Sequence, residues 1–391
     1  MQFFDVVIYC PDTHIYYDAS LPDRGGVGGG LMARIRLAQA LARQGHHVTI
    51  IAHVTHPHRH RGVNYLPLSQ LSQKSKTDIL IMTSSGGALS LEPALDLKIT
   101  SKWREVWVHG TPYIKGLDQL LWDCITPVSN FIYDVIKKEW PLVNPKQFTI
   151  YNGTSKRQKK RLWHISHRNP FRLIYTSHPA KGLVSALGVL KKLRAADQRY
   201  HLHVYGGDGL YGGKDMPPEK IEGVSYFGTR GQGEVLSALE TASISIHLQS
   251  IREGFGMTLT EAMLHGAIPI ASPVGAFPEL LDHGKNGFLI FGDHLSDETQ
   301  TLAAEWIHRL NQTPAYTNHV RFNAMNIPWT WDTMAKVRTE FWEWAICKKG
   351  TFAPQRQGCN QCGYPLLLLA DGFHCIGCGR YYHQVSAVGE I

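Results

Sequence analysis

No stretch of this 391-residue chain approaches the ~20 consecutive apolar residues that a membrane-spanning helix needs. The longest apolar runs, 366–370 and 267–276, are short or broken by proline and glycine. The N-terminus has no basic segment followed by an apolar one, so no signal peptide is expected and the chain is expected in the cytoplasm. Charge is modest at 18% of residues against 43% hydrophobic, which excludes a disordered chain. Cysteine is scarce outside the tail: only Cys10, Cys124 and Cys347 occur, scattered, which argues against a disulfide framework and for a reducing compartment. Also missing are a G-x-S-x-G elbow, an H-E-x-x-H helix, a Walker loop and any Asp-x-Asp pair that could hold a divalent metal on a diphosphate.

What is present begins with length, which suits two large domains and a small addition. A net charge of +8 favours anionic partners: nucleotides, phosphates, anionic lipid surfaces or nucleic acid. A strand is expected over 4–9, then a glycine-rich loop holding Gly25, Gly26, Gly28, Gly29 and Gly30, a helix over 31–43 and a strand over 47–52. This βαβ unit seeds a parallel, doubly wound sheet. Short apolar runs at 79–82, 106–109, 124–128 and 148–151 extend it. The segment 154–168 is basic, with Lys156, Arg157, Lys159, Lys160 and Arg161, lacks periodicity and reads as a linker. A second α/β series follows, with strands at 171–176, 200–205, 224–227 and 244–248 and helices at 183–195 and 234–242. The aromatic run 329–344 reads as a terminal amphipathic helix, and 352–358 as a short linker to the cysteine tail.

The sharpest signal is Glu253-Gly254-Phe255-Gly256-Met257 leading through Thr260 to Glu261. It follows a strand and opens a helix that ends near His265 and Gly266. Glycines let the backbone approach a ligand closely, and a helix N-terminus offers unpaired N–H groups and partial positive charge to a diphosphate. Glu253 stands before that seat. Glu261, expected about two turns along the helix, could reach a neutral polyol such as a ribose.

Here the chain resembles the retaining glycosyltransferases of family 4, with the GT-B fold and the E-x7-E motif that Glu253 and Glu261 reproduce. The likeness spans nearly all of 1–345 through ordered motifs: the Gly25–Gly30 loop, Gly45-His46-His47-Val48, Val128-Ser129-Asn130, Tyr151-Asn152-Gly153, Gly275-Ala276-Phe277-Pro278-Glu279 and Asn286-Gly287-Phe288-Leu289. It implies two Rossmann-like doubly wound domains facing a cleft, an acceptor domain over 1–153 and a donor domain over 154–328. A helix over 329–350 would pack back on the first domain. It implies transfer of a sugar from a UDP- or GDP-sugar with retention and without a metal at the diphosphate.

The resemblance also implies roles. Glu253 would contact hydroxyls of the transferred sugar, and Gly254, Phe255, Gly256 and Met257 would hold sugar and diphosphate through their N–H groups. Glu261 would take the ribose, Lys181 would neutralise the diphosphate, and His109 would sit near the reacting carbon. Gly28 and Gly29 permit close backbone approach to donor phosphate or to acceptor. Many members carry an arginine shortly before the lysine; here Ser177 and His178 stand there, so either they replace it or Arg230 or Arg252 reaches in. The acceptor would be a sugar, a lipid-linked sugar or another small molecule. Peripheral membrane contact fits the basic character, and nucleic acid is not expected. The cluster His53, His56, His58 and His60 with Arg59 and Arg61 reads as a solvated loop, or as a basic acceptor or membrane-surface patch.

In the tail, Cys359, Cys362, Cys375 and Cys378 form two C-x2-C knuckles, followed by Gly363 and Gly379. Four thiolates around Zn2+ would close a structural, non-catalytic site, so 355–391 reads as a zinc ribbon that depends on metal to fold, with a body that stands without it. Two alternatives keep other classes open: a non-catalytic scaffold whose ribbon engages nucleic acid or protein, and a phosphorylase or epimerase on the same fold.

Overall fold

The structure, a computed structural model, describes residues 2–390 apart from 14–15, 17–18, 84–96, 116, 118–121, 142–144, 156–167, 216–218, 353–356, 363 and 384–388. The basic stretch read as a linker and the glycine after the first knuckle lie outside the described residues. The chain forms two compact units: Met1–Ala19, Gly29–Gly153 and Pro328–Ile391 make the first, and Ser20–Gly28 with Thr154–Ile327 the second.

Chain order begins β1 (Asp5–Tyr9), α1 (Leu21–Arg24), α2 (Gly29–Arg43), β2 (His47–Ala52), β3 (His58–His60), β4 (Val63–Pro67), β5 (Lys76–Thr83), β6 (Thr100–Val108), β7 (Cys124–Pro127), α3 (Asn130–Glu139) and β8 (Lys146–Gln147). The first unit's sheet has the order β3-β4-β2-β1-β5-β6-β7-β8, parallel except for β3. Val6, Val7 and Ile8 of β1 are fully buried, as expected of a central parallel strand covered on both faces. The helix after the glycine loop starts at Gly29, two residues earlier than its apolar pattern predicts. The histidine cluster is not all loop: His58–His60 form β3, antiparallel to β4, and the His58 ring stacks on Tyr65 at 4.8 Å. Period-2 exposure at a sheet edge looks polar and irregular in sequence, which hid this strand.

The run 148–151 was expected as a strand. Its ladder ends at Gln147, yet the Phe148 N–H still donates to Ile125 O (2.9 Å) and the Ile150 N–H to Pro127 O (3.0 Å). The outward Thr149 N–H goes elsewhere, to Gly379 O at 2.9 Å.

The second unit continues with β9 (Asn169–Thr176), α4 (Leu183–Ala196), β10 (His201–Tyr205), β11 (Val224–Gly228), α5 (Gln232–Leu239), β12 (Ala242–His247), α6 (Met257–Leu264), β13 (Ile268–Ala271), α7 (Phe277–Leu280), β14 (Phe288–Leu289), α8 (Asp297–Gln312) and α9 (Pro314–Met325). Its sheet, β11-β10-β9-β12-β13-β14, is wholly parallel. The core joins Leu173, Val189, Leu202, Ile244, Ile270 and Ile307. From β9 the chain steps to β10 on one side and later to β12 on the other, so the order reverses between β9 and β12. In open parallel sheets that crevice, at the carboxyl ends of the strands, is where ligands bind.

The chain then returns to the first unit with α10 (Trp331–Cys347), β15 (Thr351–Phe352), β16 (Gln357–Gly358), β17 (Leu366–Leu369), β18 (Gly372–Cys375), β19 (Tyr381–Tyr382) and β20 (Gly389–Glu390). Helix α10 docks through a buried ion pair of Arg338 with Glu105, whose carboxylate also accepts from the Trp342 indole at 3.1 Å. The tail folds as the antiparallel sheet β15-β17-β18-β19. It is not a module on a free tether: it belongs to the first compact unit and hydrogen-bonds into it. Among the described residues no helix is long and apolar enough to cross a membrane.

Candidate functional site

At the crevice between β9 and β12, β9 ends at Thr176 and leads through Ser177 and His178 into a single 3-10 turn, Pro179–Lys181. His178 caps that turn, accepting from Ala180 N–H, and its other ring nitrogen lies 2.8 Å from Asp208. Gly182 follows with φ 135°, and a Cβ there would fall 2.1 Å from Leu248 O, just past the end of β12. Only glycine lets the turn approach so closely. The result places the Lys181 ammonium 2.6 Å from a carboxylate oxygen of Glu253, both side chains about a quarter exposed at 25% and 21%. Burial alone would lower the Lys181 pKa; the charge of Glu253 and its hydrogen bond outweigh that and raise it, so the ammonium stays charged.

Glu253 is held from behind. Its carbonyl accepts from Ala276 N–H at 3.0 Å, and Gly275, with φ 57°, lies so close that a Cβ would come within 2.3 Å of that carbonyl oxygen. The Gln249 amide bonds Ile251 O at 2.9 Å and reaches Glu253 at 3.4 Å. Phe255 is buried, and Gly256 caps α6 in the left-handed region with φ 97°. That conformation delays the helix to Met257, so Glu261 lies just over one turn along α6 and not two. The residue is 8% exposed, and its carboxylate accepts from Gln232 Nε2 at 2.7 Å; Gln232 in turn accepts from Ser155 Oγ at 3.1 Å. Gln232 carries no motif that would mark it in the sequence.

The sequence-expected residues Ser177, Lys181, Glu253, Gly254, Phe255, Gly256, Met257 and Glu261 all fall in the second unit, around one strand-end crevice. Gly28 belongs to this unit too, but its N–H already donates to Leu210 O at 2.9 Å, so it is not a free donor for a phosphate. Gly29 instead opens α2 of the first unit, where first-turn N–H groups lack intrahelical partners. Arg230 pairs with Glu234 at 3.4 Å on the surface of α5.

His109 lies in the first unit, just beyond the end of β6. Burial and the guanidinium charges of Arg34 and Arg338 hold its pKa well below 6.5, so the ring is neutral. Asn152 Nδ2 lies 3.4 Å from His109 Nδ1. With the amide as donor, Nδ1 accepts and the proton sits on Nε2, which is buried with no hydrogen-bond partner among the described residues. A neutral imidazole with one free N–H is suited to donating a hydrogen bond at a reacting centre.

In the tail, the four cysteine sulfurs all lie within 4.8 Å of one another, with Cys359–Cys378 at 3.5 Å and Cys362–Cys375 at 3.4 Å. A tetrahedral zinc with Zn–S near 2.3 Å sets sulfurs about 3.8 Å apart. Backbone N–H groups of Gly377 and Cys378 point at Cys375 Sγ, both at 3.3 Å, and that of Gln361 at Cys359 Sγ at 3.4 Å. Such donors favour thiolates, so the cluster has the donor set and spacing of a structural zinc site.

A family model described as "Glycosyl transferases group 1" matches residues 171–314, a stretch inside the second unit. No curated protein matches the chain by sequence. Among solved structures, Anabaena HepE in complex with UDP-glucose aligns with a TM-score of 0.60 at 16% identity, covering 86% of this chain and 98% of that one. A glycosyltransferase from Rickettsia africae aligns at 0.63 and 12%, covering 88% and 99%. Sucrose-phosphate synthase from Thermosynechococcus elongatus aligns at 0.61 and 14%, covering 88% and 100%. The fold is therefore GT-B: two Rossmann-like α/β domains, with a four-cysteine tail added.

Proposed function

We propose that the protein is a glycosyltransferase that moves a sugar from a nucleoside-diphosphate sugar to an acceptor hydroxyl with retention of anomeric configuration, as in family 4. The observation that carries the reading is the Lys181–Glu253 pair beside the start of α6, in the crevice where the second sheet reverses. As the bond from anomeric carbon to diphosphate breaks, negative charge grows on the leaving oxygen. The Lys181 ammonium and the N–H groups at the start of α6 stabilise it. Glu253, held by Gly275 and Gln249, aligns the sugar hydroxyls. Glu261, held by Gln232, takes the ribose. His109 provides a neutral N–H on the acceptor side.

The UDP-glucose held by HepE favours a UDP-sugar as donor over a GDP-sugar. The acceptor is a sugar, lipid-linked sugar or other small molecule, met in the cytoplasm or at its membrane surface. The tail holds one structural Zn2+ on Cys359, Cys362, Cys375 and Cys378, which contributes folding free energy and no chemistry. A panel of UDP- and GDP-sugars read by thermal shift tests the donor, because a bound ligand raises stability by mass action. Product NMR tests retention. A chain that binds no nucleotide sugar, or forms the inverted anomer, overturns the proposal.

A further inference from the structure

Tail and first sheet meet through backbone as well as side chains. Gly379 directly follows the ligand-spaced Cys378; its N–H donates to Cys375 O, and its carbonyl accepts the Thr149 N–H at the sheet edge. Gly379 has φ 83°, and a Cβ there would fall 1.8 Å from Gln147 O, so only glycine allows the knuckle this seat. The next two residues extend the grip. Arg380 pairs with Asp134 and covers the Tyr133 ring at 5.0 Å. The backbone of Tyr381 is bound twice by the Asn130 side chain, at 2.9 Å and 3.2 Å, and its hydroxyl accepts from the Trp329 indole at 3.1 Å. His374, next to Cys375, stacks on Phe148 at 5.0 Å between centroids. Each of these contacts that leaves the tail falls on 130–134 or 147–151, or on the segment entering α10. Three residues beyond the Thr149 that Gly379 grips lies Asn152, the partner of His109.

Away from the first unit the tail has little of its own to order it. Its own cluster is Cys359, Leu366, Cys375 and Tyr382, with Phe373 and Cys378 against it, too small a core to hold a fold unaided. A metal binding four preplaced thiolates contributes that missing free energy.

We infer that the four-cysteine knuckle is a metal-dependent latch: a zinc-class divalent ion on Cys359, Cys362, Cys375 and Cys378 keeps residues 379–381 seated on the edge of the first sheet and so fixes Asn152 against His109. The tail is thus a positioning element for the first unit, and neither a nucleic-acid module nor a detachable ribbon. Its bearing on transfer rests on the function proposed above; the latch itself does not.

The test uses the full chain, metal-loaded and after stripping with a chelator, read by metal analysis, hydrogen exchange and turnover. The loaded chain should carry one zinc. Stripping should speed exchange over 146–152 and 130–134 by about tenfold or more, leave 257–264 unchanged, and be reversed by adding Zn2+. Transfer should fall while affinity for the donor holds. Gly379→Ala should keep its zinc and show the same fast exchange, which separates unseating from simple unfolding. Unchanged exchange at 146–152 on stripping, a chain that neither carries nor takes up zinc, or a zinc-loaded Gly379→Ala with full protection overturns the latch. If the loaded chain binds no nucleotide sugar, the proposed function fails, and exchange still decides the latch.

Discussion

The Lys181 ammonium sits 2.6 Å from a carboxylate oxygen of Glu253, across seventy-two residues of sequence. Each group shapes the other. The carboxylate keeps the largely sheltered lysine charged, and the lysine restrains the carboxylate beside the strand ends. On the proposed function, a diphosphate would compete for the lysine and free Glu253 to meet sugar hydroxyls.

Lys181→Ala and Glu253→Ala should each reduce transfer by about 10²–10³, the usual effect of losing one preorganised electrostatic group. The melting temperature should change little, because a partly exposed ion pair contributes little to stability. Steady-state kinetics with the best donor checks it; full turnover in either variant removes these residues from the site.

Gln232→Ala should raise the donor KM by roughly tenfold with kcat nearly unchanged. It removes a hydrogen bond to the Glu261 carboxyl group, whose proposed ribose contact would lie away from the breaking bond. Glu261→Ala should act the same way and more strongly. A large fall in kcat at constant KM would show that this pair acts on the transition state.

Gly182→Ala should destabilise the second unit and lower transfer together. Its φ of 135° and the 2.1 Å approach to Leu248 O leave no room for a methyl group. Strain of this kind costs about 1–3 kcal/mol. Denaturant unfolding measures the first effect and turnover the second; a variant as stable and active as the parent would show that the turn can shift without consequence.

His247 is buried with a ring nitrogen 2.8 Å from Ser245 Oγ, and burial pushes its pKa from 6.5 down to about 3. The unfolded chain takes up that proton near pH 6.5 and the folded chain only near 3. Between those values the unfolded state binds more protons, so stability falls as pH drops, by up to ~1.4 kcal/mol per pH unit for this group. Urea unfolding at pH 7, 6 and 5 should show the decline, and His247→Gln should make it shallower. An equal slope in both proteins assigns it to other groups.

Glu105→Ala should destabilise the first unit by about 3–5 kcal/mol, since it leaves the buried Arg338 guanidinium without its carboxylate and strips the Trp342 indole of its acceptor. Chemical denaturation followed through tryptophan fluorescence reads this; a loss below ~1 kcal/mol would mean that water reaches the guanidinium.

The alternation of strands, glycine turns and helices was legible in the sequence because it rests on local periodicity and on residues with few conformational options. The seat before α6 could be read for the same reason: Gly254 and Gly256 flank a residue that packs, and a helix former follows. Its helix begins later than the spacing suggested because Gly256 turns left-handed against Phe277, a neighbour twenty-one residues away. Strand β3 was missed because edge histidines carry no apolar alternation. Gln232 was missed because a glutamine on a short helix looks the same whether it faces solvent or holds a carboxylate.

The amino-acid order alone determined the two α/β series, the glutamate spacing around α6 and the four-cysteine pattern, because each depends on neighbours within a dozen or so residues. Tertiary structure decided the rest. Lys181 meets Glu253 only because β9 and β12 lie side by side in the second sheet. His109 is neutral only because folding buries it near Arg34 and Arg338, from two distant helices. The tail sits on the first sheet because Gly379, alone among residue types, leaves room for Gln147. Charge, burial and close approach act through space, and sequence distance does not record them.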